Sequence, residues 1–242
     1  MHWDFILIFL FLGIAVPIFG RRRVRQLMAL HETTKALRLR LYASTAVSQW
    51  LVTAIVLWRT RSRGISLSQL GIAIPSAPLC SLVTLLLSAL IFLNQLLSLR
   101  RISRHPTELK GLLPQLALKI FPQDTSERVP FTGLIFSVAV CEEAIYRGFA
   151  QHVFGTTSGS TALAILGSAA LFALAHAYQG KRGLIATCVV GLVFGSVCAW
   201  TGSLLPSVVA HFVADLSAGF MAPSRIMAAV AVQQPAVASS DT

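Results

Sequence analysis

Long apolar runs recur along the chain, and most charged residues lie in the segments between them. A helix of about 20 apolar residues crosses the hydrocarbon core of a bilayer. Seven runs approach that length, at residues 3–20, 41–58, 79–97, 129–149, 160–178, 183–201 and 203–221. Because the ends of such runs are the least determined feature of the pattern, six to eight spans are compatible with it. The pattern predicts an all-α fold, a polytopic transmembrane helix bundle of about seven spans.

The composition excludes most other classes of protein. Of the 242 residues 55% are hydrophobic and only 12% are charged, whereas a soluble domain carries about 25% charged residues. The mean hydropathy of +0.72 excludes a disordered chain. The formal net charge of +11 would suggest nucleic-acid binding in a soluble protein. In a chain this hydrophobic, it indicates contact with a lipid bilayer instead, and no nucleic-acid partner is expected.

The basic residues are distributed unevenly between the two ends of the predicted spans. Connections that follow the first, third and fifth spans, together with the tail, hold sixteen Lys and Arg, whereas the opposite connections hold three. By the positive-inside rule this predicts an outside N-terminus and a cytoplasmic C-terminus. Asp4 precedes the first run and the basic residues 21–25 follow it, which favours an uncleaved helix over a signal peptide. We predict an integral protein of the cell membrane, the inner membrane of a bacterium.

The chain divides into three predicted parts. Residues 1–128 supply membrane helices and basic cytoplasmic loops, 129–222 form a membrane domain rich in polar residues, and 223–242 form a disordered tail. Within the first part, residues 108–121 mix leucines with lysines and predict a short interfacial helix interrupted at Pro114. The four cysteines have no metal-binding spacing and are expected to be buried free thiols: Cys80, Cys141, Cys188 and Cys198.

Ionisable side chains inside membrane spans are costly, by at least about 2.5–3.5 kcal/mol each, and therefore indicate function. Apart from Asp4 near an end, the first spans contain almost none before Cys141. The later spans contain six: Glu142, Glu143, Arg147, His176, His211 and Asp215. This asymmetry predicts that the chemistry lies in the second half of the chain.

The spacing of these residues suggests individual roles. Glu143 and Arg147 are four apart on a helix and can form an ion pair. Glu142 points about 100° away without a local partner, which makes it a candidate general base. His176 is compatible with an interfacial position or with catalysis. His211 and Asp215 share one helix face, where they can form a hydrogen bond, an orienting pair or a pair of metal ligands.

Three ordered motifs resemble those of one family. The motifs are Glu142-Glu143-x-x-x-Arg147, Phe172-x-x-x-His176 and His211-x-x-x-Asp215. Their order on three membrane helices is similar to that of CPBP intramembrane proteases, which include type II CaaX prenyl proteases and bacterial Abi, bacteriocin-processing relatives. The resemblance covers residues 130–220. The sequence departs from the family pattern at Asp215, where asparagine is common.

The resemblance implies a membrane-embedded endopeptidase of the glutamic type, with no metal or cofactor. It implies that Glu142 and His176 activate a water molecule and that His211, with Asp215, stabilises the oxyanion. Glu143, Arg147 and Phe172 would support the site structurally. The substrate would be a membrane-associated peptide or protein, for example a prenylated CaaX-type chain.

Other functions remain open at the level of sequence. Glu142 or Glu143 with His176 and His211 could bind Zn²⁺ in a metalloprotease, although no HExxH motif is present. A non-catalytic scaffold or immunity protein of the same fold is a second alternative. A transporter and a Cys141 nucleophile are less favoured, because matching repeat halves and a base near Cys141 are absent from the pattern. Any joint site also requires a shifted fifth span or a broken fourth, because His176 lies near a span end.

Overall fold

The computed structural model describes residues 2–104 and 112–233, with side chains described over 2–101 and 112–222. Within these ranges all regular structure is helical. The helices are α1 (Trp3–Ala29), α2 (Lys35–Ser62), α3 (Ala77–Arg104), α4 (Leu112–Ile120), α5 (Thr125–Ser158), α6 (Thr161–Ala175), α7 (Gly180–Thr201) and α8 (Leu205–Gln233).

Six of these helices are long and apolar enough to cross a membrane. α6 is apolar but has only 15 residues, and α4 is a short helix outside the predicted runs. Each of the seven predicted runs coincides with one helix of the structure. The predicted class, a polytopic helical bundle in a membrane, is thereby confirmed.

α5 is the central helix of the bundle. In the most apolar 18-residue stretch of α5, 56% of the residues are buried, compared with 17% in the corresponding stretches of α1, α2 and α3. α2, α6 and α8 all pack on α5, and α8 also runs along α3. The main apolar cluster joins α1, α2, α5 and α6 around Phe149, which is fully buried, and Phe172. Side chains from several helices can therefore meet at α5 without contact with lipid.

α6 is short, and its early end is what allows a joint site. It begins at Thr161, where the Ser160 hydroxyl caps its N-terminus, and ends at Ala175. The following turn places Tyr178 against Gly20, within 3.3 Å of where a Cβ at Gly20 would lie. Gly20 is nine residues before the end of α1, so the turn is recessed by about 13 Å from that end. The fifth span thus ends within the predicted run 160–178, which leaves His176 close to the middle of α5.

The fourth span is continuous but contains a π-helical segment. This segment, Ala144–Ala150, begins immediately after the two adjacent glutamates. A second π-helical segment, Phe11–Ala15, precedes Pro17 in α1. A π turn places one additional residue in the turn and often occurs at functional sites. In α1 it accommodates a proline, which cannot donate a backbone hydrogen bond.

Two expectations at the ends of helices differ from the structure. α4 runs through Pro114 without interruption, because Pro114 lies in the first turn, where a backbone N–H has no partner within the helix. α8 continues to Gln233, beyond the start of the expected disordered tail, since its last turns are rich in alanine, the best helix former. Residues 108–111 and 234–242 lie outside the described residues.

A buried ion pair joins the beginning of α5 to α2. The Arg38 guanidinium donates to both carboxylate oxygens of Glu127, at 2.8 and 2.6 Å, and both side chains are buried. Nearby, Lys35 pairs with Asp124 at 3.3 Å. A hydrogen bond donated by the Ser126 hydroxyl lowers the pKa of the Asp124 carboxyl to about 2, so this pair is ionised at neutral pH. These contacts hold α2 and α5 at a defined relative height.

The cysteines are free, as expected. Cys80, Cys141 and Cys198 are buried and Cys188 is half-buried.

Candidate active site

Glu142 lies at mid-depth in α5 and has its two carboxylate oxygens in different surroundings. Oε1 accepts a hydrogen bond of 2.9 Å from the side-chain amide of Gln49 on α2. Oε2 is buried and has no hydrogen-bond partner among the described residues. Oε2 instead faces two imidazole rings. The sequence suggested no local partner for Glu142, and its partner indeed comes from another helix.

His176 presents one defined ring nitrogen to Glu142. Its Nδ1 lies 2.9 Å from the backbone carbonyl oxygen of Phe172, an atom that can only accept, so Nδ1 carries the hydrogen. In the neutral ring Nε2 then has a free lone pair, and it lies 3.9 Å from Glu142 Oε2. The Phe172 ring packs edge-on against the imidazole, with centroids 4.6 Å apart. The structure thus explains why Phe172 accompanies His176 in the motif.

His211 on α8 completes a triangle of polar atoms. Its Nε2 lies 4.0 Å from Glu142 Oε2 and 3.7 Å from Asp215 Oδ2. Its Nδ1 lies 2.9 Å from Glu143 Oε1 and donates to that carboxylate. The orientation of the ring is therefore set by Glu143 on α5. Asp215 is too far from Nε2 for a direct hydrogen bond.

Glu143 and Arg147 form the ion pair that their spacing suggested. Arg147 Nη1 lies 3.0 Å from Glu143 Oε1, and both side chains are shielded completely from solvent. The Arg147 guanidinium also lies over the Phe172 ring, 4.2 Å from its centroid, and 5.5 Å from that of Phe194. Cation–π contact of this kind stabilises the position of a buried guanidinium. Glu143 consequently has two positively polarised neighbours.

The structure brings together all seven residues singled out from the sequence. Their side chains come from α5, from α6 and the residue that follows it, and from α8, so residues far apart in the sequence meet at the site. Sequence reasoning missed Gln49 and Phe194. Gln49 had a detectable signal, a lone amide within the apolar run 41–58. Phe194 had none, because one phenylalanine among the apolar residues of α7 is typical of any membrane helix.

The exposed edge of the cluster lies on the side of the recessed turn. The side chain of Asp215 is 36% accessible and that of His176 is 17% accessible, whereas Glu143 is inaccessible. His176 follows the C-terminal end of α6, close to the basic residues Lys181 and Arg182. Among the residues of the cluster, Asp215 and His176 are thus the ones on the accessible side of Glu142.

The side chains do not fit a zinc site with Glu143, His176 and His211 as ligands. Glu143 Oε1 already contacts the Arg147 guanidinium and His211 Nδ1. A guanidinium beside a carboxylate competes with a cation for it. In the ranges 2–104 and 112–233, no group of three or more His, Cys, Asp or Glu has an arrangement able to hold a metal ion. The Glu143-based ligand set is therefore not supported.

The fold and site define a class of protein, an integral membrane protein with a carboxylate–imidazole centre inside a helical bundle. Residues 125–217 match a family model described as type II CAAX prenyl endopeptidase, Rce1-like. The matched range begins with α5 and extends into α8, so it contains every residue of the three motifs. Over residues 125–217 the match confirms the resemblance to the CPBP family that the three motifs indicated. A domain of this family implies a membrane peptidase. Comparisons with curated proteins and with solved structures found no match.

Proposed function

We propose that the protein is an intramembrane endopeptidase that hydrolyses a peptide bond with a water molecule activated by Glu142 and His176. The observation that carries this proposal is the convergence of three polar atoms from three helices. Glu142 Oε2 lies 3.9 Å from His176 Nε2 and 4.0 Å from His211 Nε2. These separations are too long for direct hydrogen bonds. A water oxygen about 2.8 Å from each of two such atoms bridges a separation of about 4 Å when the angle at the oxygen is close to 90°.

The surroundings of each group suit one part of peptide hydrolysis. Glu142 Oε2 takes a proton from the attacking water, and His176 Nε2 accepts its second hydrogen bond and orients it. The protonated carboxyl then gives its proton to the leaving amine, so the water supplies OH to the new acid and H to the new amine. General bases placed in this way contribute on the order of 10²–10⁴-fold to the rate.

His211 is suited to the oxyanion. Its Nδ1 hydrogen is donated to Glu143, and a protonated ring presents a second N–H from Nε2 toward the centre. Because Glu143 accepts from Nδ1, the orientation of the ring and of its Nε2 is fixed. A donor oriented before the reaction stabilises charge that develops in the transition state. Glu143 and Arg147 act through His211 and are positioning residues.

The substrate class follows from the family and from the place of the site. The Rce1-like domain supports a CAAX-type substrate, a membrane-associated or prenylated peptide or protein. The turn at His176 is followed by the basic residues Lys181 and Arg182, on the side that the positive-inside rule assigns to the cytoplasm. A substrate held at that face would be cut at a bond that reaches down to Glu142.

The test is cleavage by the purified protein. Wild type in detergent is incubated with prenylated CaaX peptides and with membrane precursor proteins, and the products are identified by mass spectrometry. Glu142→Gln should reduce kcat on the order of 10²–10⁴-fold, whereas Glu32→Gln, in the exposed turn between α1 and α2, should cleave as wild type does. If Glu142→Gln cleaves the substrate at the wild-type rate, Glu142 is not the general base.

Two other outcomes decide between the alternatives. Loss of cleavage with a chelator and recovery with Zn²⁺ would replace the proposal by a metalloprotease with a ligand set other than the Glu143-based one. Absence of turnover on every substrate, from a protein that is folded and monodisperse, would favour the non-catalytic scaffold or immunity protein.

A further inference from the structure

Gln49 is a polar side chain in the middle of α2, within the apolar run 41–58. Around it Val47 and Leu51 are exposed, at 68% and 60%, as expected for side chains that face lipid. The opposite stripe of α2 faces the bundle and contains Tyr42, Thr53, Val56 and Thr60, all of them buried. Gln49 lies on this inward stripe, at the heptad position between Tyr42 and Val56. Placing an amide there without a hydrogen bond is unfavourable, so its partner requires an explanation.

The hydrogen bond that Gln49 makes is to the proposed general base. Its Nε2 donates to Glu142 Oε1 at 2.9 Å. Resting on the proposed function, we infer that Gln49 is a positioning residue of the hydrolytic reaction, which holds one oxygen of the Glu142 carboxylate so that the other is directed at the water and the two imidazoles. Gln49 does not touch the reacting atoms itself.

Two physical effects follow from this contact. A carboxylate with one anchored oxygen cannot rotate about its last torsion, so Oε2 stays directed between His176 and His211. In addition, an N–H donated to a carboxylate stabilises the ionised form, which is the form able to accept a proton. A displacement of a reacting group by about 1 Å can lower the rate by up to 10²-fold. Both effects act on kcat rather than on substrate binding.

A purely structural role for Gln49, as a link between α2 and α5, makes a different prediction. Links of that kind exist elsewhere in the bundle: Gln95 on α3 donates to the backbone carbonyl of Ala214 on α8 at 3.4 Å. Removal of such a link weakens the assembly but leaves the chemistry of each folded molecule unchanged. Gln95 is therefore the matched control, since it is a glutamine at a helix–helix contact within another membrane span.

The experiment compares Gln49→Met with Gln95→Met in the full chain, with a prenylated CaaX peptide as substrate. Methionine keeps the length of the side chain and removes the amide. We expect Gln49→Met to lower kcat at least tenfold with KM unchanged, and to move the acid limb of its kcat–pH profile to higher pH. Gln95→Met should keep the wild-type kcat and profile. If Gln49→Met does not fold, Gln49→Asn, whose amide is one methylene shorter, should give the same changes.

The outcomes separate this inference from the proposed function. If Glu142→Gln abolishes cleavage but the Gln49 variants keep the wild-type kcat and pH profile, the positioning role is overturned and the proposed function stands. A Gln95→Met protein with the same loss and the same profile as Gln49→Met would also overturn it. If Glu142→Gln cleaves like wild type, or wild type itself does not cleave, both the proposed function and this inference fail.

Discussion

At the scale of single residues, His211 has each ring nitrogen directed at different partners. Nδ1 donates to Glu143, and Nε2 faces Glu142 and Asp215. The four-residue spacing in the sequence suggested Asp215 as the residue that orients the His211 ring. The structure gives that contact to Glu143, because α5 passes close to α8 at this depth. Asp215 is left as the most accessible group of the site, with its side chain next to the reaction centre.

Substitutions of Asp215 therefore test the effect of a hydrogen-bond donor at the edge of the site. Asp215→Asn keeps the shape and adds an N–H that can point at the oxyanion, so we expect kcat at neutral pH to equal or exceed that of wild type. Asp215→Leu removes both donor and acceptor and should lower kcat on the order of tenfold or more. Steady-state kinetics of both variants on one peptide checks this. A tenfold loss in Asp215→Asn would mean that the negative charge itself is required.

At the scale of helices, the site depends on where α6 ends. His176 is the first residue after α6, and the helix is held at its depth by close packing on α7. At the crossing a Cβ added to Gly191 would lie 3.0 Å from both Cα and Cβ of Ala169. This approach is closer than most side chains allow, so a small residue on α7 keeps α6, and with it His176, near α5.

A matched pair of glycine substitutions tests this packing. Gly191→Val should force α6 and α7 apart at a cost of about 1–3 kcal/mol, which lowers the apparent Tm in detergent by roughly 3–10 °C. Gly133→Val, on α5 with no atom within 4 Å of an added Cβ, adds the same side chain without the clash. Its apparent Tm should stay within about 2 °C of wild type. Equal decreases of the apparent Tm in the two variants would show that helix propensity, rather than packing, causes the loss of stability.

At the scale of the whole molecule, the charges divide the bundle into two faces. Of the three basic residues in the sparsely charged connections, two share one carboxylate: Arg59 and Arg63 lie 2.6 and 3.2 Å from Asp4. On the opposite face Lys35 and Arg38 pair with Asp124 and Glu127. Because the sequence assigns sixteen basic residues to that face and only three to the other, these few pairs leave the difference in charge in place. We propose on this basis that the N-terminus is outside and the C-terminus cytoplasmic.

Thiol labelling of intact cells tests this orientation. Arg22→Cys, in the basic segment after the first span, should be protected from a membrane-impermeant maleimide until the cells are opened. Thr157→Cys, exposed at the end of α5 on the opposite face, should react in intact cells. Wild type controls for its own four cysteines, three of which are buried. Labelling at position 22 alone in intact cells would reverse the orientation.

The sequence by itself determined the features that depend on neighbours along the chain. Span positions follow from the length of apolar runs, and the Glu143–Arg147 pair follows from helical spacing. Six of the site residues were recognisable because ionisable side chains are rare within the spans of this chain, and Phe172 was recognisable only through the motif it shares with His176. Only the tertiary structure decided the contacts between helices, since these depend on relative depth and rotation. One turn of sliding, about 5.4 Å, would separate Gln49 from Glu142, Glu143 from His211, and His176 from Glu142.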